Sequence, residues 1–200
     1  ESLALAQLGF IVVKFFNRGI LGLRDRAFRE ERDYTLPLLN MTDNVAGIKQ
    51  LAETRPYMDI TRVGCTARSS MGTGVTGMLT QPDFYKVGVC LNPSVDGRLL
   101  WAGDEVNGKG FPPPEEFAGN LTGKLFLIAG MMDPCAPVSQ TFRLVEALHK
   151  ANKSFDLLIL PNFGHELSGY VTRRTWDYFV EHLLGETPPE NFKLRFMPGE

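Results

Sequence analysis

Apolar residues recur along this chain in two alternating rhythms. Leu3, Leu5, Ala6 and Leu8 precede Gly9 at near-helical spacing, which predicts the end of an amphipathic helix with a glycine stop. The apolar run 10–16, broken only by Lys14, predicts a buried strand. Val45, Ile48, Leu51 and Ala52 place a helix at 43–53 with Asp43 near its start, and a short strand follows at 62–66 after the Arg55-Pro56 turn. The Gly- and Thr-rich stretch 70–79 has poor helix propensity, yet it lies where the chain must return, and a helix is predicted there. Strands at 85–91, 124–129 and 155–160 and helices at 138–151 and 170–184 complete the series, with Gly185 ending the last helix. Between them, 92–120 is rich in Gly and Pro and carries the breaker run Phe111-Pro-Pro-Pro-Glu115, so it is mostly loop.

Strands alternating with helices, the strands almost continuously apolar, predict an α/β fold: a mostly parallel sheet covered by helices on both faces. In such sheets ligands bind beyond the C-terminal ends of the strands, so chemistry is to be sought in those loops.

Composition narrows the picture. The chain has 200 residues, of which 44% are hydrophobic and 22% charged, enough apolar material for a real core and incompatible with disorder. Lys and Arg total 21 against 23 Asp and Glu, for a net charge of −2 without long blocks of either sign, so nucleic acid is not an expected partner. No stretch approaches the ~18 uncharged apolar residues of a membrane span. The three cysteines, Cys65, Cys90 and Cys135, are too scattered for a structural zinc site, and the first two are expected to be small buried hydrophobes. Glu1 opens directly into an apolar-periodic segment with no initiator Met or signal peptide, so the chain is expected to begin mid-fold.

Three loops after strands then draw attention. Arg62-Val-Gly-Cys-Thr-Ala-Arg-Ser-Ser-Met-Gly72 runs from strand through a serine-bearing turn toward a helix, Gly130-Met-Met-Asp133 follows a strand, and Pro161-Asn-Phe-Gly-His165 follows another. The order Ser, Asp, His at successive strand ends is that of the α/β-hydrolase triad, in which a strained elbow exposes the serine, histidine takes its proton and aspartate orients the imidazole.

Over nearly its whole length the chain resembles the C-terminal part of the catalytic domain of the prolyl oligopeptidase family, in particular its dipeptidyl peptidase IV-like serine peptidases. The resemblance is carried by Leu8-Gly-Phe-Ile-Val-Val13, Asn17-Arg-Gly19, Arg55-Pro-Tyr-Met-Asp59, Arg62-Val-Gly64, Pro82-Asp-Phe-Tyr-Lys-Val-Gly-Val89, Arg143-Leu-Val-Glu-Ala-Leu148, Phe155-Asp-Leu-Leu-Ile-Leu-Pro161 and Arg173-Arg-Thr-Trp-Asp-Tyr-Phe179. It implies an α/β-hydrolase-type sheet with its N-terminal strands missing, a partial catalytic domain at 1–185 and a C-terminal tail at 186–200. It assigns Ser69 as nucleophile, Asp133 as acid and His165 as base, with the backbone N–H of Ser70 as one oxyanion donor. It implies a peptide substrate, cleavage through an acyl-enzyme, no cofactor, and a periplasmic or secreted location.

The chain also departs from that family's pattern. The Gly-x-Ser-x-Gly-Gly elbow becomes Ala67-Arg-Ser69-Ser-Met71-Gly72, and a frame with Ser70 as nucleophile, which places Gly72 two positions on, is the alternative. After the acid, Asp133-Pro-Cys135 stands where the family has an Asn that binds a substrate carbonyl. Gly164-His165-Glu166 replaces the usual His-Gly. The tyrosine-bearing segment of the family's proline pocket should fall between Asp96 and Phe117, where no Tyr occurs, so strict post-proline cleavage is not expected. The resemblance places the second oxyanion donor, a Tyr hydroxyl, on a loop before this chain's first helix, and loss of such a donor costs on the order of 10²–10³ in rate in another serine hydrolase. Two other readings stay open: a catalytically impaired homologue or fragment that acts as a scaffold or binding domain, and an esterase of relaxed specificity.

Other motifs carry less. His165-Glu166 is not a zinc-protease motif, because Gly169 stands where the second His would be, and no catalytic metal is expected. Gly108-Lys109 is followed by Gly110 rather than Ser or Thr, which excludes a P-loop. Sequons at Asn40, Asn120 and Asn152 and the run Pro112-Pro-Pro114 add no function. An open sheet edge would invite pairing, so a homodimer is a possible assembly.

Overall fold

The computed structural model describes residues 2–16, 36–69, 73–95, 114–166 and 168–194. Helix α1 (Ser2–Gln7) ends as expected, with Gly9 at φ 96° turning the chain out of the helix. Helix α2 spans Leu36–Glu53 and so starts earlier than its apolar pattern suggests, with Pro37 in its first turn, where a missing N–H costs nothing. Strand β1 (Val63–Arg68) is followed by α3 (Thr73–Thr80), β2 (Tyr85–Leu91), a short α4 (Pro114–Phe117), a 3₁₀ turn (Ala118–Asn120) and β3 (Lys124–Gly130). Helix α5 (Val138–Lys150), β4 (Asp156–Leu160) and α6 (Gly169–Phe179) complete the domain; α6 runs into a π-helical turn (Val180–Leu184) and stops at Gly185, φ 77°.

The four strands form one sheet in the order β1-β2-β3-β4, parallel at every pairing. Side-chain alternation divides β3 cleanly. Leu125 and Leu127 join Met78 and Leu79 of α3 and Leu144, Ala147 and Leu148 of α5 on one face, while Phe126 and Ile128 join Val87, Val89 and Leu91 of β2 against Val171, Tyr178 and Phe179 of α6 on the other. Leu125, Leu127, Leu144 and Leu148 are completely buried, each contributing ~2 kcal/mol of hydrophobic stabilisation. This is the sheet covered on both faces that the apolar strands require.

One expectation fails. Residues 10–16 form no strand: Ile11 is 52% and Phe16 62% exposed. A strand needs a neighbour to pair its backbone. The nearest sheet edge, β1, pairs among the described residues only with β2, and a cavity of about 550 Å³ lined by 10–16, Tyr57, Val63, Cys65 and Phe179 lies beside it. Of the segment 92–120, expected to be mostly loop, 96–113 lie outside the described residues; its end holds α4 and the 3₁₀ turn, where Glu115 pairs with Arg143 of α5 at 3.3 Å. The tail 186–194 carries no regular structure. Among the described residues no helix is long and apolar enough to cross a membrane.

Candidate active site

The C-terminal ends of all four strands meet at one edge of the sheet. At the end of β1, Ser69 has φ 61°, a left-handed conformation that a serine adopts at a cost of ~1–3 kcal/mol. Among the described residues the other non-glycine residues with positive φ, Asn92, Asn152 and Asn191, are all asparagines, which tolerate it far better. Ser69 is held there from both sides: its N–H donates to Leu91 O at 3.0 Å, and its carbonyl accepts from Ser94 N–H at 3.4 Å. The chain thus turns sharply out of β1 toward α3. Gly74 in the first turn of α3 allows this approach, because a Cβ there would come within 2.8 Å of Cys90 Sγ and 3.3 Å of Ala67. Ser70 and Met71, and with them the expected oxyanion donor and the alternative frame, lie outside the described residues.

Beyond β3 and β4 the loops are fastened to each other. Met131 N–H donates to Leu160 O at 3.0 Å and Met132 N–H to Phe163 O at 2.9 Å. A Cβ on Gly130 would overlap the carbonyl oxygens of Phe163 and Gly164, so only glycine lets these backbones meet. This contact delivers Asp133 to His165. Asp133 Oδ2 lies 2.6 Å from His165 Nδ1, while Oδ1 accepts from the N–H groups of Cys135 and Ala136, both at 2.8 Å. The Asp133 side chain is fully buried and that of His165 is one quarter exposed. A carboxylate can only accept, so Nδ1 carries the proton in this pair, and the neutral imidazole has its lone pair on Nε2. Three donors replace the water that burial removes from Asp133.

Of the residues singled out in the sequence, Asp133 and His165 are therefore brought together directly. Ser69 lies on the same sheet edge, and among the described residues no hydrogen bond joins its hydroxyl to His165. Asn92, which sequence reasoning treated only as the start of a loop, proves to bind the parts together. Buried at the end of β2 with φ 43°, it donates its own N–H to Ile128 O at 2.7 Å, accepts from Gly130 N–H at 2.8 Å through Oδ1, and donates through Nδ2 to Gly164 O at 3.1 Å. The available signal was an amide immediately ending an apolar strand in Leu91-Asn92-Pro93, a residue type that both tolerates φ > 0 and bonds locally.

Cys135, exposed two residues after the acid, completes a cluster: one ligand atom each from Asp133, Cys135 and His165 lie within 4.8 Å of one another. Cys90 is buried in the core, and the half-buried Cys65 packs against it. Burial pushes the Cys65 thiol up to about 12 and the Cys90 thiol well above its ordinary value. The cavity of about 550 Å³ beside β1 is lined by none of Ser69, Asp133 or His165, so the candidate site lies apart from it. The segment expected to replace the proline pocket falls mostly within 96–113, outside the described residues.

Comparison with known proteins agrees with this architecture. Human dipeptidyl peptidase 8 is 24% identical over 196 residues, covering 91% of this chain and 22% of the relative, so the chain spans about a fifth of that protein's length. Among solved structures, Porphyromonas gingivalis dipeptidyl peptidase 4 superposes with a TM-score of 0.72 at 23% identity, over 83% of this chain and 26% of that one. An acylaminoacyl peptidase from Pyrococcus horikoshii does so with a TM-score of 0.72 at 20% identity, over 88% and 32%. These structural likenesses show the shared α/β-hydrolase fold. The model of the prolyl oligopeptidase family matches residues 1–186, which takes in all four strands and their C-terminal loops, and the chain belongs to that family of serine peptidases.

Proposed function

We propose that this chain carries the catalytic triad of a serine peptidase, with Ser69 as nucleophile, His165 as general base and acid, and Asp133 orienting the imidazole. The observation that carries the reading is the strained serine at φ 61° on the same sheet edge as a histidine already locked to a buried carboxylate at 2.6 Å. In this mechanism His165 Nε2 takes the Ser69 hydroxyl proton as Oγ attacks the peptide carbonyl, then passes it to the leaving amine. Water hydrolyses the resulting acyl-enzyme by the same route. Asp133 stays ionised and stabilises the imidazolium, and the Ser70 N–H donates to the oxyanion. The φ of Ser69 supports that residue over Ser70, since the backbone strain of an elbow belongs to the nucleophile itself.

A second reading has an observation in its favour. With no bond between Ser69 and His165 among the described residues, and with Ala67 and Cys135 in place of the residues the family pattern expects, a scaffold without activity also fits. A fluorophosphonate probe separates the two: labelling of the wild type that is abolished by Ser69→Ala supports the peptidase, and a folded wild type that never labels overturns it. Retention of label in Ser69→Ala but not in Ser70→Ala would move the nucleophile one residue. Assembly as a homodimer through the β4 edge, unpaired among the described residues and with Leu157 40% exposed, belongs to the same proposal and is read by sedimentation velocity.

A further inference from the structure

We propose that Asp133, Cys135 and His165 form a binding site for a thiophilic divalent cation of the zinc class, and that the bound cation switches the triad off. The binding stands on the cluster alone; the inhibition rests on the reading of His165 as base. The donor set is one carboxylate oxygen, one imidazole nitrogen and one thiolate sulfur, a mixture that suits zinc and is foreign to magnesium or calcium, which take oxygen ligands. Tetrahedral zinc at ~2.0–2.3 Å from each donor needs donor atoms about 3.3–3.8 Å apart. Asp133 Oδ2 and His165 Nδ1, 2.6 Å apart, must therefore part by about 0.7 Å to admit the cation, and because all three donors lie within 4.8 Å of one another Cys135 Sγ needs to close by about 1 Å at most.

The parts of the cluster divide between rigid and adjustable. Asp133 Oδ1 is committed to the N–H groups of Cys135 and Ala136, which fixes the carboxylate and leaves Oδ2 as the ligand atom. The Cys135 N–H bond also anchors that residue's backbone beside the acid, while its exposed side chain is able to swing. The quarter-exposed His165 ring provides a route from solvent, and a fourth position remains for water. Cys135 stands two residues after the acid, so the same turn presents both sulfur and oxygen.

Binding has a defined proton balance. The Cys135 thiol releases its proton to solvent, the cation takes the place of the proton between His165 Nδ1 and Asp133 Oδ2, and the imidazole keeps one proton, now on Nε2. The lone pair needed to activate Ser69 is then gone. No electron transfer or second reactant is involved.

The test uses the purified chain with Co²⁺ as a spectroscopic substitute for Zn²⁺, together with Zn²⁺ titration calorimetry. A thiolate-to-cobalt charge-transfer band in the wild type, lost in Cys135→Ser, and zinc affinity about 10-fold or more weaker in Cys135→Ser are expected, since even indirect supports of a metal site are worth about 10–100-fold. Equal zinc affinity in wild type and Cys135→Ser, or absence of the band, would overturn the site. For inhibition, the fluorophosphonate labelling rate is compared with zinc and with chelator within each protein: slowing in the wild type but not in Cys135→Ser supports the switch, and equal sensitivity of both refutes it. A wild type that gains the cobalt band but never labels even with chelator would refute the triad reading, and the switch with it, while leaving the metal site standing.

Discussion

The side-chain amide of Asn92 donates to the carbonyl oxygen of Gly164 at 3.1 Å and so ties the end of β2 to the residue beside His165. Through its other amide atom it also receives the N–H of Gly130, three residues before Asp133. One buried side chain thereby sets the spacing between the loops that carry both members of the Asp133–His165 pair.

Asn92→Ala is expected to leave the Gly130 N–H unpaired inside the protein and the two loops unfastened, costing about 2–3 kcal/mol in urea unfolding. Asn92→Asp keeps the acceptor for Gly130 N–H but sets a buried carboxylate oxygen against Gly164 O, so it should cost at least as much. Equal stability of Asn92→Ala and wild type would show that the clasp does not hold the site.

Gly130→Ala should destabilise by about 1–3 kcal/mol, because the new methyl meets the carbonyl oxygens of Phe163 and Gly164, which are backbone atoms with little freedom to yield. Thermal unfolding reads this directly. A fully stable Gly130→Ala protein would contradict the close approach.

Ser69→Gly trades the proposed nucleophile for relief of a left-handed backbone. It should raise stability by about 1 kcal/mol while abolishing fluorophosphonate labelling. A loss of stability would argue that the φ of 61° is not strained.

Asp133→Asn keeps an acceptor for the Cys135 and Ala136 N–H groups but can present an NH₂ to His165, which favours the wrong imidazole tautomer. A fall in kcat on the order of 10³–10⁴ with little change in KM is expected on an activated ester or peptide, as for the equivalent change in another serine protease. A kcat within a few-fold of wild type would remove Asp133 from the mechanism.

The three thiols should separate by reactivity. At neutral pH iodoacetamide should modify exposed Cys135 and spare Cys65 and Cys90, as peptide mapping would reveal. The same burial makes stability fall in alkali. The Cys65 thiol ionises near 9 in the unfolded chain and at about 12 when folded, so its stabilising effect is complete below pH 9 and is lost as pH rises toward 12. Cys65→Ala should flatten that part of the pH–stability curve, and an unchanged slope would place the alkaline loss elsewhere.

Much of this was open to reading in the sequence. The alternation of apolar strands and helices reports local burial, which is why β1 to β4, α5 and the stop at Gly185 fell where their patterns put them to within a few residues. The order Ser69, Asp133, His165 at strand ends was equally visible, since each follows its own strand within five residues. The segment 10–16 shows the limit of such reasoning. Its side chains are as strand-like as any in the chain, but a strand exists only where another backbone pairs with it, and beside β1 there is a cavity instead.

The sequence by itself therefore determined most of the element types, the parallel two-faced architecture and which residues are candidates for the site, because these follow from short-range periodicity and residue chemistry. Only the tertiary structure decided that Asp133 and His165, 32 residues apart, meet at 2.6 Å, that Ser69 takes a left-handed backbone, that Asn92 clasps the loops and that Cys135 joins the cluster. Those facts depend on strand register and on backbone-to-backbone contacts between distant segments, and no local pattern of hydrophobic and polar positions encodes them.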